Sequence, residues 1–284
     1  MKSEAIIEFG KPLQTIENDT PIPKGKEVLL KITYSGVCHS DVHLHDGYFD
    51  LGGGNQLPVG AAMNLPHTLG HEIEGEVVSF GSDVTDIEVG ANVVAYPWIG
   101  CGNCPTCETG DEHYCNAPQQ LGIQLPGGFS DYCLIPDSKY VLDYTGIRPG
   151  LAATYMCSGL TAFGALKKLV NISDDDHILI MGLGGVGMMG LQFARSLFNC
   201  KILAADIDPN KLQAARGAGA DEVYDTSDEL SIMKLIEDTS GGVKAAVDFV
   251  GAEKTLQYTL DSTKKGGQIV VVGLFGGAFQ MPIP

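Results

Sequence analysis

Four of the eight cysteines fall within sixteen residues, in the segment GCGNCPTCETGDEHYC at residues 100–115. They are Cys101, Cys104, Cys107 and Cys115, spaced CxxCxxCx7C. Four thiolates can surround one Zn²⁺ tetrahedrally, and such a closed shell leaves no position for a substrate. The spacing therefore predicts a structural zinc in a lobe at about residues 97–118. Disulfides or free thiols are the alternative, which a reducing compartment disfavours.

Other residues with metal-binding side chains are scattered along the chain. They are Cys38, His39, Asp41 and His43 in GVCHSDVHLHDG, His71 and Glu72 in LGHEIEGEV, and Cys157. A catalytic zinc needs about three protein ligands and one open position. Taken singly, each has another interpretation: Cys38 as a small buried residue, His71 as a hydrogen-bonded core histidine, Cys157 as a helix packing residue. No local spacing groups them into one site.

The segment HILIMGLGGVGMMG at residues 177–190 contains the pattern GxGxxG, formed by Gly182, Gly184 and Gly187. An apolar strand precedes the glycines and a helix follows them, which is the context that a dinucleotide-binding turn requires. Such glycines allow a tight turn and a close approach of the backbone to a pyrophosphate at the helix N-terminus. An ordinary strand-to-helix turn is the alternative.

The second strand of this half, KILAADID, contains Asp206, 19 residues after Gly187. A carboxylate at this point accepts hydrogen bonds from the adenosine ribose 2′-hydroxyl. Asp208 is close and no arginine is adjacent, so a 2′-phosphate would be repelled. We therefore expect NAD rather than NADP, with a solvated loop residue as the alternative for Asp206.

The elements that must position these residues differ between two halves of the chain. Up to about residue 145 short β-rich runs alternate with Gly, Pro and Asp clusters, which is typical of a barrel-like all-β unit. From about residue 150 strands and helices alternate, beginning with a helix predicted over residues 150–169. This alternation predicts an α/β fold with a doubly wound parallel sheet.

Composition sets limits on location and partners. With 284 residues the chain is long enough for two domains, and its net charge of −17 disfavours contact with nucleic acid or an anionic membrane. No apolar run approaches the roughly 20 residues of a membrane span, and MKSEAIIEFG does not resemble a signal peptide. We therefore expect a cytoplasmic protein that acts on a small molecule.

The motifs also occur in a recognisable order along essentially the whole chain: GVCHSDVH, LGHEIEGEVVSFG, the CxxCxxCx7C lobe, MCSGLTAFGAL, GLGGVG and VVVGLFGG. In this the chain resembles zinc-dependent alcohol dehydrogenases of the medium-chain dehydrogenase/reductase superfamily, of the archaeal and bacterial type. The resemblance implies a GroES-like catalytic domain over residues 1–150 and a Rossmann NAD-binding domain over residues 151–284. It also implies an active site in the cleft between them.

The resemblance implies a second zinc, which is catalytic. Its ligands would be Cys38, His71 and Cys157, and Glu72 would be a nearby carboxylate able to enter the coordination. Asp41 would orient His71, as metal-bound histidines commonly require. Cys157 is informative because polyol dehydrogenases of the superfamily usually place a carboxylate in the corresponding role.

The resemblance further implies a proton relay and a cofactor site. Ser40 would bond the substrate oxygen and His43 would end a relay to solvent, an ordinary surface histidine being the alternative. The residues implied to contact the cofactor are His39, Thr161, Gly182, Gly184, Gly185, Val186, Gly187, Asp206, Lys211, Val272, Gly273 and Leu274.

The implied activity is the reversible oxidation of primary and secondary alcohols with hydride transfer to NAD. Trp98 resembles a pocket residue of the relatives, and Tyr48 and Phe49 are further pocket candidates, with ordinary core positions as the alternative. Polyol or threonine specificity is another possibility within the same class.

The C-terminal sequence GLFGGAFQMPIP follows the fifth predicted Rossmann strand, whereas the family continues for several tens of residues. We therefore expect a truncated chain with an exposed apolar edge at QIVVVGL. The family's homodimer or homotetramer is then in doubt, and a zinc- and NAD-binding chain without turnover becomes a second hypothesis.

Overall fold

The computed structural model describes residues 1–60 and 63–281. Two compact units are present. Unit 1 comprises Met1–Phe49 and Leu57–Cys157, and unit 2 comprises Asp50–Gln56 and Ser158–Pro284.

Unit 1 is built on antiparallel strands. The first ten strands of the chain are β1 (Lys2–Ile6), β2 (Gln14–Glu17), β3 (Val28–Gly36), β4 (Tyr48–Gly52), β5 (Asn55–Pro58), β6 (His67–Thr68), β7 (Glu72–Phe80), β8 (Asn92–Ala95), β9 (Tyr132–Ile135) and β10 (Val141–Asp143). Parts of β4 and β5 lie in Asp50–Gln56, which belongs to unit 2. A five-stranded sheet has the order β10-β8-β7-β3-β9, a three-stranded sheet the order β2-β1-β6, and β4 pairs with β5. Alternating apolar side chains of β3, β7 and β8 fill the core under the larger sheet, including Leu30, Ile73 and Val93.

Short helices and turns connect these strands. They are α1 (His39–Asp46), α2 (Pro105–Glu108) and α3 (Ala152–Thr154). Helix α1 ends at Gly47, whose φ of 85° lies in the left-handed region that favours glycine. This helix carries the candidate residues from His39 to His43 next to its N-cap, Cys38.

Unit 2 contains a five-stranded parallel sheet of order β13-β12-β11-β14-β15, which confirms the predicted doubly wound α/β fold. Its elements are α4 (Leu160–Lys167), β11 (His177–Met181), α5 (Gly185–Leu197), β12 (Lys201–Asp206), α6 (Pro209–Gly217), β13 (Glu222–Asp225), α7 (Ser231–Asp238), β14 (Val243–Asp248), α8 (Glu253–Ser262) and β15 (Thr263–Val271). The central strand β11 is apolar almost throughout because parallel strands are covered on both faces. Strand β15 lies at one edge of this sheet, at the position predicted for QIVVVGL.

The continuous helix predicted over residues 150–169 is wrong in one respect. A π-helical turn at Tyr155–Gly159 separates α3 from α4. A period of 3.6 residues does not reveal one extra residue in a turn, so sequence periodicity could not locate it. Such π turns occur frequently at functional sites, and this one contains Cys157.

Within the described ranges, no helix combines the length and apolar character needed to cross a membrane.

Candidate metal centres and dinucleotide site

The four clustered cysteines of unit 1 bring their sulfur atoms together, all within 4.8 Å of one another. The Sγ atom of Cys104 lies 3.5 Å from that of Cys107 and 3.8 Å from that of Cys115, and the Cys101 and Cys107 sulfurs are 4.0 Å apart. Tetrahedral Zn–S bonds of about 2.3 Å place sulfurs about 3.8 Å apart. The donor set and its spacing therefore fit zinc.

Backbone groups support this lobe. The N–H groups of Cys101 and Ala117 donate to Sγ of Cys115 at 3.4 and 3.3 Å. These bonds lower the pKa of the Cys115 thiol to about 6. Hydrogen bonding to the thiolate favours the deprotonated form that binds metal.

Glu112, which sequence reasoning missed, connects the lobe by hydrogen bonds to the two residues directly before β10, Lys139 and Tyr140. Its carboxylate accepts from the Gly100 N–H at 3.3 Å, from Lys139 Nζ at 2.6 Å and from the Tyr140 hydroxyl. The three bonds lower the pKa of Glu112 against the opposing effect of burial. Nothing in the local spacing distinguishes Glu112 from the other acidic residues of the segment.

A second group in unit 1 combines Cys38, His71 and Cys157, whose donor atoms also lie within 4.8 Å of one another. The Cys38 and Cys157 sulfurs are 3.9 Å apart, again close to the spacing of two zinc-bound thiolates. His71 is 0% exposed, and among the described residues neither of its ring nitrogens has a hydrogen-bond partner. A buried ring nitrogen without a partner is costly unless it binds a ligand, so this group also fits a metal.

Three separate elements supply this second group. Cys38 is the N-cap of α1, His71 lies between β6 and β7, and Cys157 lies in the π-helical turn. With three protein ligands, the group matches the donor count of a zinc site that keeps an open position.

Asp41 connects two of the three ligands. Its Oδ2 atom accepts from the Cys38 N–H at 2.9 Å, and its Oδ1 atom accepts from the Gly70 N–H at 3.3 Å. The same Oδ1 lies 3.3 Å from Nδ1 of His71. The carboxylate therefore holds the backbone N–H groups of Cys38 and Gly70 and lies beside Nδ1 of the His71 ring.

The pKa values within the group are strongly perturbed. Hydrogen bonding to Cys157 is the main cause that lowers the pKa of Cys38, to about 3, against the effect of burial. Burial alone would lower the pKa of His71, but Asp41 and Cys38 raise it to about 10. The hydrogen bond to Cys38 and burial raise the pKa of Cys157 well above its usual range. One of the two sulfurs is therefore the preferred thiolate.

Glu72 does not belong to the three-residue group. It is buried at the start of β7, and its carboxylate lies against Gly36, where an added Cβ atom would overlap it. Its negative charge contributes to the raised pKa of Cys157. The predicted entry of Glu72 into the metal coordination stays a prediction.

The predicted relay and pocket residues lie on or near α1. Ser40 is half-buried in its first turn, and the His39 and His43 rings are 4.9 Å apart, centroid to centroid. The His43 ring lies 4.8 Å from that of Phe49, which follows Tyr48 on β4.

Trp98 lies beside the second cysteine group. Its ring centroid is 5.7 Å from that of His71, and its indole N–H donates to the Met156 carbonyl at 2.9 Å. The bond anchors the π-helical turn directly before Cys157. This contact is a finding that the sequence did not predict.

In unit 2, Gly182 and Gly184 lie in the turn between β11 and α5, and Gly187 lies in the first turn of α5. A Cβ atom at Gly182, whose φ is 85°, would overlap Val250, and one at Gly187 would overlap the Gly182 carbonyl oxygen. A Cβ atom at Gly184, the N-cap of α5, or at Gly185 would meet nothing within 4 Å. The turn is therefore packed against the sheet on one side and open beside the helix N-terminus, where Val186 occupies the first turn.

Asp206 lies at the carboxyl end of β12 and supports the glycine turn. Its Oδ2 atom accepts from the Leu183 N–H at 2.7 Å, and its Oδ1 atom accepts from the Asp208 N–H at 3.0 Å. Lys211 Nζ lies 3.8 Å from the same Oδ2. The carboxylate is thus fixed at the sheet edge where dinucleotides bind.

Val272, Gly273 and Leu274 follow β15 at the same edge of the sheet. The Val272 and Gly273 N–H groups donate to the Asp248 carbonyl at 2.8 and 3.1 Å, and Gly273 packs closely against Val250. Thr161 lies on α4 with an exposed side chain.

Asp248, at the end of β14, is a further residue that sequence reasoning missed. Its carboxylate accepts from the Val250 and Gly251 N–H groups at 2.8 and 3.1 Å and from Thr255 Oγ1 at 2.9 Å. The side chain is 0% exposed and organises the loop after β14. Its position directly after the buried run VKAAV could have indicated a polar residue at the end of a strand of the parallel sheet.

A cavity of about 430 Å³ in unit 1 is lined by residues such as Ser3, Ile16, Thr68 and Leu134. It shares no residue with either cysteine group.

Two family models match the chain: the alcohol dehydrogenase GroES-like domain over residues 24–146 and the zinc-binding dehydrogenase over residues 185–284. The NAD-dependent alcohol dehydrogenase of Saccharolobus solfataricus is 37% identical, over 100% of this chain and 81% of the relative. The crystal structure of the alcohol dehydrogenase from Aeropyrum pernix matches with a TM-score of 0.87 and 29% identity, over 99% of this chain and 81% of that one. The D-arabinose dehydrogenase of Sulfolobus solfataricus matches with a TM-score of 0.86 and 26% identity, over 100% of this chain and 84% of that one. The chain belongs to the zinc-dependent alcohol dehydrogenases of the medium-chain dehydrogenase/reductase superfamily.

Proposed function

We propose that this chain catalyses the reversible oxidation of primary and secondary alcohols to aldehydes and ketones, with NAD as hydride acceptor. The observation that carries the proposal is the three-ligand group of Cys38, His71 and Cys157 in a chain that also has a dinucleotide-type turn. The NAD-dependent alcohol dehydrogenase relatives, similar over the whole chain, support the same activity.

Cys38, His71 and Cys157 would hold the catalytic zinc, and three ligands leave one coordination position for substrate. When bound, zinc acts as a Lewis acid that lowers the pKa of a hydroxyl group from about 16 to about 7, and NAD accepts the hydride. The protein's part is to hold the ligands: Asp41 fixes the His71 ring and the Cys38 backbone. We assign Glu72 as the buried carboxylate able to adjust the ligand set.

Ser40 and His43 are our candidates for moving the hydroxyl proton. Ser40 would accept this proton and pass its own hydroxyl proton on toward His43, which would release a proton to solvent. An imidazole ring is suited to proton exchange close to neutral pH. His43 lies one helical turn after His39 on α1, so both rings are on one side of the helix.

The closed Cys101, Cys104, Cys107 and Cys115 group would hold a structural zinc. Four thiolates complete the coordination shell, so we assign this site no part in the chemistry.

The cofactor assignment rests on the carboxyl edge of the unit 2 sheet. The open side of Gly184 would take the pyrophosphate at the N-terminus of α5, and Asp206 would accept from the ribose 2′-hydroxyl. Lys211, close to that carboxylate, would border the adenosine ribose. The remaining predicted cofactor contacts are His39, Thr161, Gly185, Val186, Val272, Gly273 and Leu274.

We propose that Trp98, Tyr48 and Phe49 line the substrate pocket. Aromatic side chains of this kind favour small aliphatic or aromatic alcohols. The structural similarity to a D-arabinose dehydrogenase favours including sugars and polyols as the second candidate substrate class. We further propose the domain extents 1–150 and 151–284.

The test is to purify the full chain, count zinc per chain and follow NADH absorbance with primary, secondary and sugar alcohols, and with D-arabinose. We expect two zincs and NADH formation with at least one alcohol. Two zincs and bound NAD without NADH formation would support the binding-only hypothesis instead. Light scattering of the same preparation tests the predicted homodimer or homotetramer.

A further inference from the structure

Three glutamates alternate along strand β7: Glu72, Glu74 and Glu76. Ile73 and Val77, at the intervening positions, point into the barrel core, so the glutamates share the opposite face. Glu72 and Glu74 are buried and Glu76 is exposed. Buried carboxylates are rare unless their charge has partners, so the partners of Glu74 indicate its role.

Glu74 is 1% exposed, and both of its carboxylate oxygens bind the segment that follows β10. Oε1 accepts from the Tyr144 hydroxyl at 2.9 Å, and Oε2 accepts from the Gly150 N–H at 2.9 Å. Burial and the Glu74 carboxylate raise the pKa of Tyr144 to about 12, so this tyrosine stays a donor at neutral pH. Thr33 Oγ1 donates to the Glu74 carbonyl at 3.2 Å and adds a bond across to β3.

The segment held by Glu74 leads directly to a metal ligand. Gly150 has a φ of 79°, which turns the chain into α3, and Cys157 follows seven residues later in the π-helical turn. At about 1.5 Å per residue, these seven residues span about 10 Å of helix. Ala152 and Ala153 are buried, and α3 packs against β3, β7 and β8, so the start of the segment is held within unit 1.

Two polar contacts thus hold the segment at its two ends. Glu74 binds its start at Gly150, and Trp98 binds the Met156 carbonyl next to Cys157. Contacts from β7 and from Trp98 therefore hold the chain from Tyr144 to Met156.

We propose that Glu74 is a positioning residue: by holding Tyr144 and Gly150, its buried carboxylate sets the helical segment so that Cys157 meets Cys38 and His71. The inference rests on the proposed function in taking Cys157 as a ligand of the catalytic zinc. It assigns Glu74 no contact with substrate or cofactor.

The test compares Glu74→Gln and Tyr144→Phe with the matched control Glu76→Gln, which changes an exposed glutamate of the same strand and face. The zinc-loaded full chain is mixed with excess chromophoric chelator, and zinc release is followed over time as two kinetic phases, one for each zinc site. Variants Cys157→Ser and Cys104→Ser, each lacking one site, assign the phases. Thermal unfolding is measured in parallel.

We expect Glu74→Gln to accelerate zinc release from the Cys157 site about tenfold or more. The amide of glutamine replaces one acceptor oxygen by an NH2 group, and this donor would face another donor, the Tyr144 hydroxyl or the Gly150 N–H. Tyr144→Phe removes one bond and accelerates the same phase about threefold. Glu76→Gln leaves both phases unchanged, and the Cys104 phase stays the same in all three. If Glu74→Gln fails to fold, Tyr144→Phe carries the test.

Unchanged release in Glu74→Gln and Tyr144→Phe would overturn the inference, and so would equal acceleration of both phases, which indicates general loosening. A chain that keeps both zincs after Cys157→Ser would refute the proposed ligand set itself. Loss of one zinc in Cys157→Ser with unchanged release in Glu74→Gln would refute only the positioning role.

Discussion

In the glycine motif of unit 2, Gly187 is required for packing, whereas Gly184 borders the space proposed for the ligand. Alanine substitutions at these two positions distinguish the two roles. In Gly187→Ala the new methyl group overlaps the Gly182 carbonyl oxygen, a backbone atom that no rotamer change can move. In Gly184→Ala the methyl group meets no atom within 4 Å, and the φ of −71° and ψ of −170° suit alanine. Packing alone therefore predicts a large loss of stability for Gly187→Ala and only a small one for Gly184→Ala.

The expected magnitudes follow from these contacts. Overpacking against the backbone costs Gly187→Ala about 3 kcal/mol, which lowers the melting temperature by about 6–12 °C. Gly184→Ala changes only the N-cap of α5, which costs about 0.5 kcal/mol or about 1–2 °C. Its methyl group, however, occupies the space proposed for the pyrophosphate. Loss of one charge-assisted hydrogen bond then weakens NAD binding at least about tenfold.

The assays are differential scanning fluorimetry without NAD and titration calorimetry with NAD. Gly217→Ala, on α6 with open space around the added methyl group, is the control: NAD affinity should not change, and the melting temperature should not fall, because alanine favours a helix over glycine by up to about 1 kcal/mol. Equal melting temperatures for Gly187→Ala and the parent chain would refute the packing argument. Unchanged NAD affinity in a folded Gly184→Ala protein would refute the pyrophosphate position.

Further predictions concern the cofactor, the acid stability and the π-helical turn. Asp206→Ser removes the charge that repels a 2′-phosphate, so the ratio of kcat/KM for NAD to that for NADP should fall about 10- to 100-fold; an unchanged ratio contradicts this role. Burial lowers the pKa of His67 in the folded chain below its ordinary value of 6.5. Below pH 6.5 the unfolded chain therefore binds this proton more readily than the folded chain, so the stability that neutral His67 contributes above pH 6.5 is lost as the pH falls. In urea unfolding between pH 7 and pH 5, His67→Val should therefore lose stability less steeply than the parent chain, by up to about 1.4 kcal/mol per pH unit. The same change in unfolding free energy with pH in His67→Val and in the parent chain would contradict this role of His67. Trp98→Phe keeps a ring beside His71 but loses the bond to Met156, so zinc release from the Cys38, His71 and Cys157 group should accelerate about 2- to 10-fold, measured with a chelator.

Features that depend on local spacing were predictable from the sequence. The cysteine lobe lies within sixteen residues, and the strand–glycine–helix pattern lies within one βα unit, so their elements follow from short-range periodicity. The doubly wound sheet was predictable because its central strands β11, β12 and β14 are short, largely apolar runs between helical segments.

Features that depend on tertiary contacts were not predictable in this way. Cys38 and Cys157 are 119 residues apart in sequence, and only the family resemblance grouped them before the structure did. The π-helical turn adds one residue that a helical pattern does not reveal. Glu74 and Glu112 look like ordinary members of an acidic chain until their donors are known, because their partners lie between 12 and 76 residues away.

The central claim is that one metal site is catalytic and the other structural. It is tested most directly by measuring zinc content and NADH formation in Cys38→Ser and Cys104→Ser and comparing both with the parent chain. The parent should carry two zincs per chain and form NADH. Cys38→Ser should keep one zinc and nearly the parent melting temperature but form no NADH, whereas Cys104→Ser should lose the other zinc and chiefly lose stability. Retained NADH formation in folded Cys38→Ser, with equal losses of stability in both variants, would contradict the assignment of the chemistry to the scattered ligands.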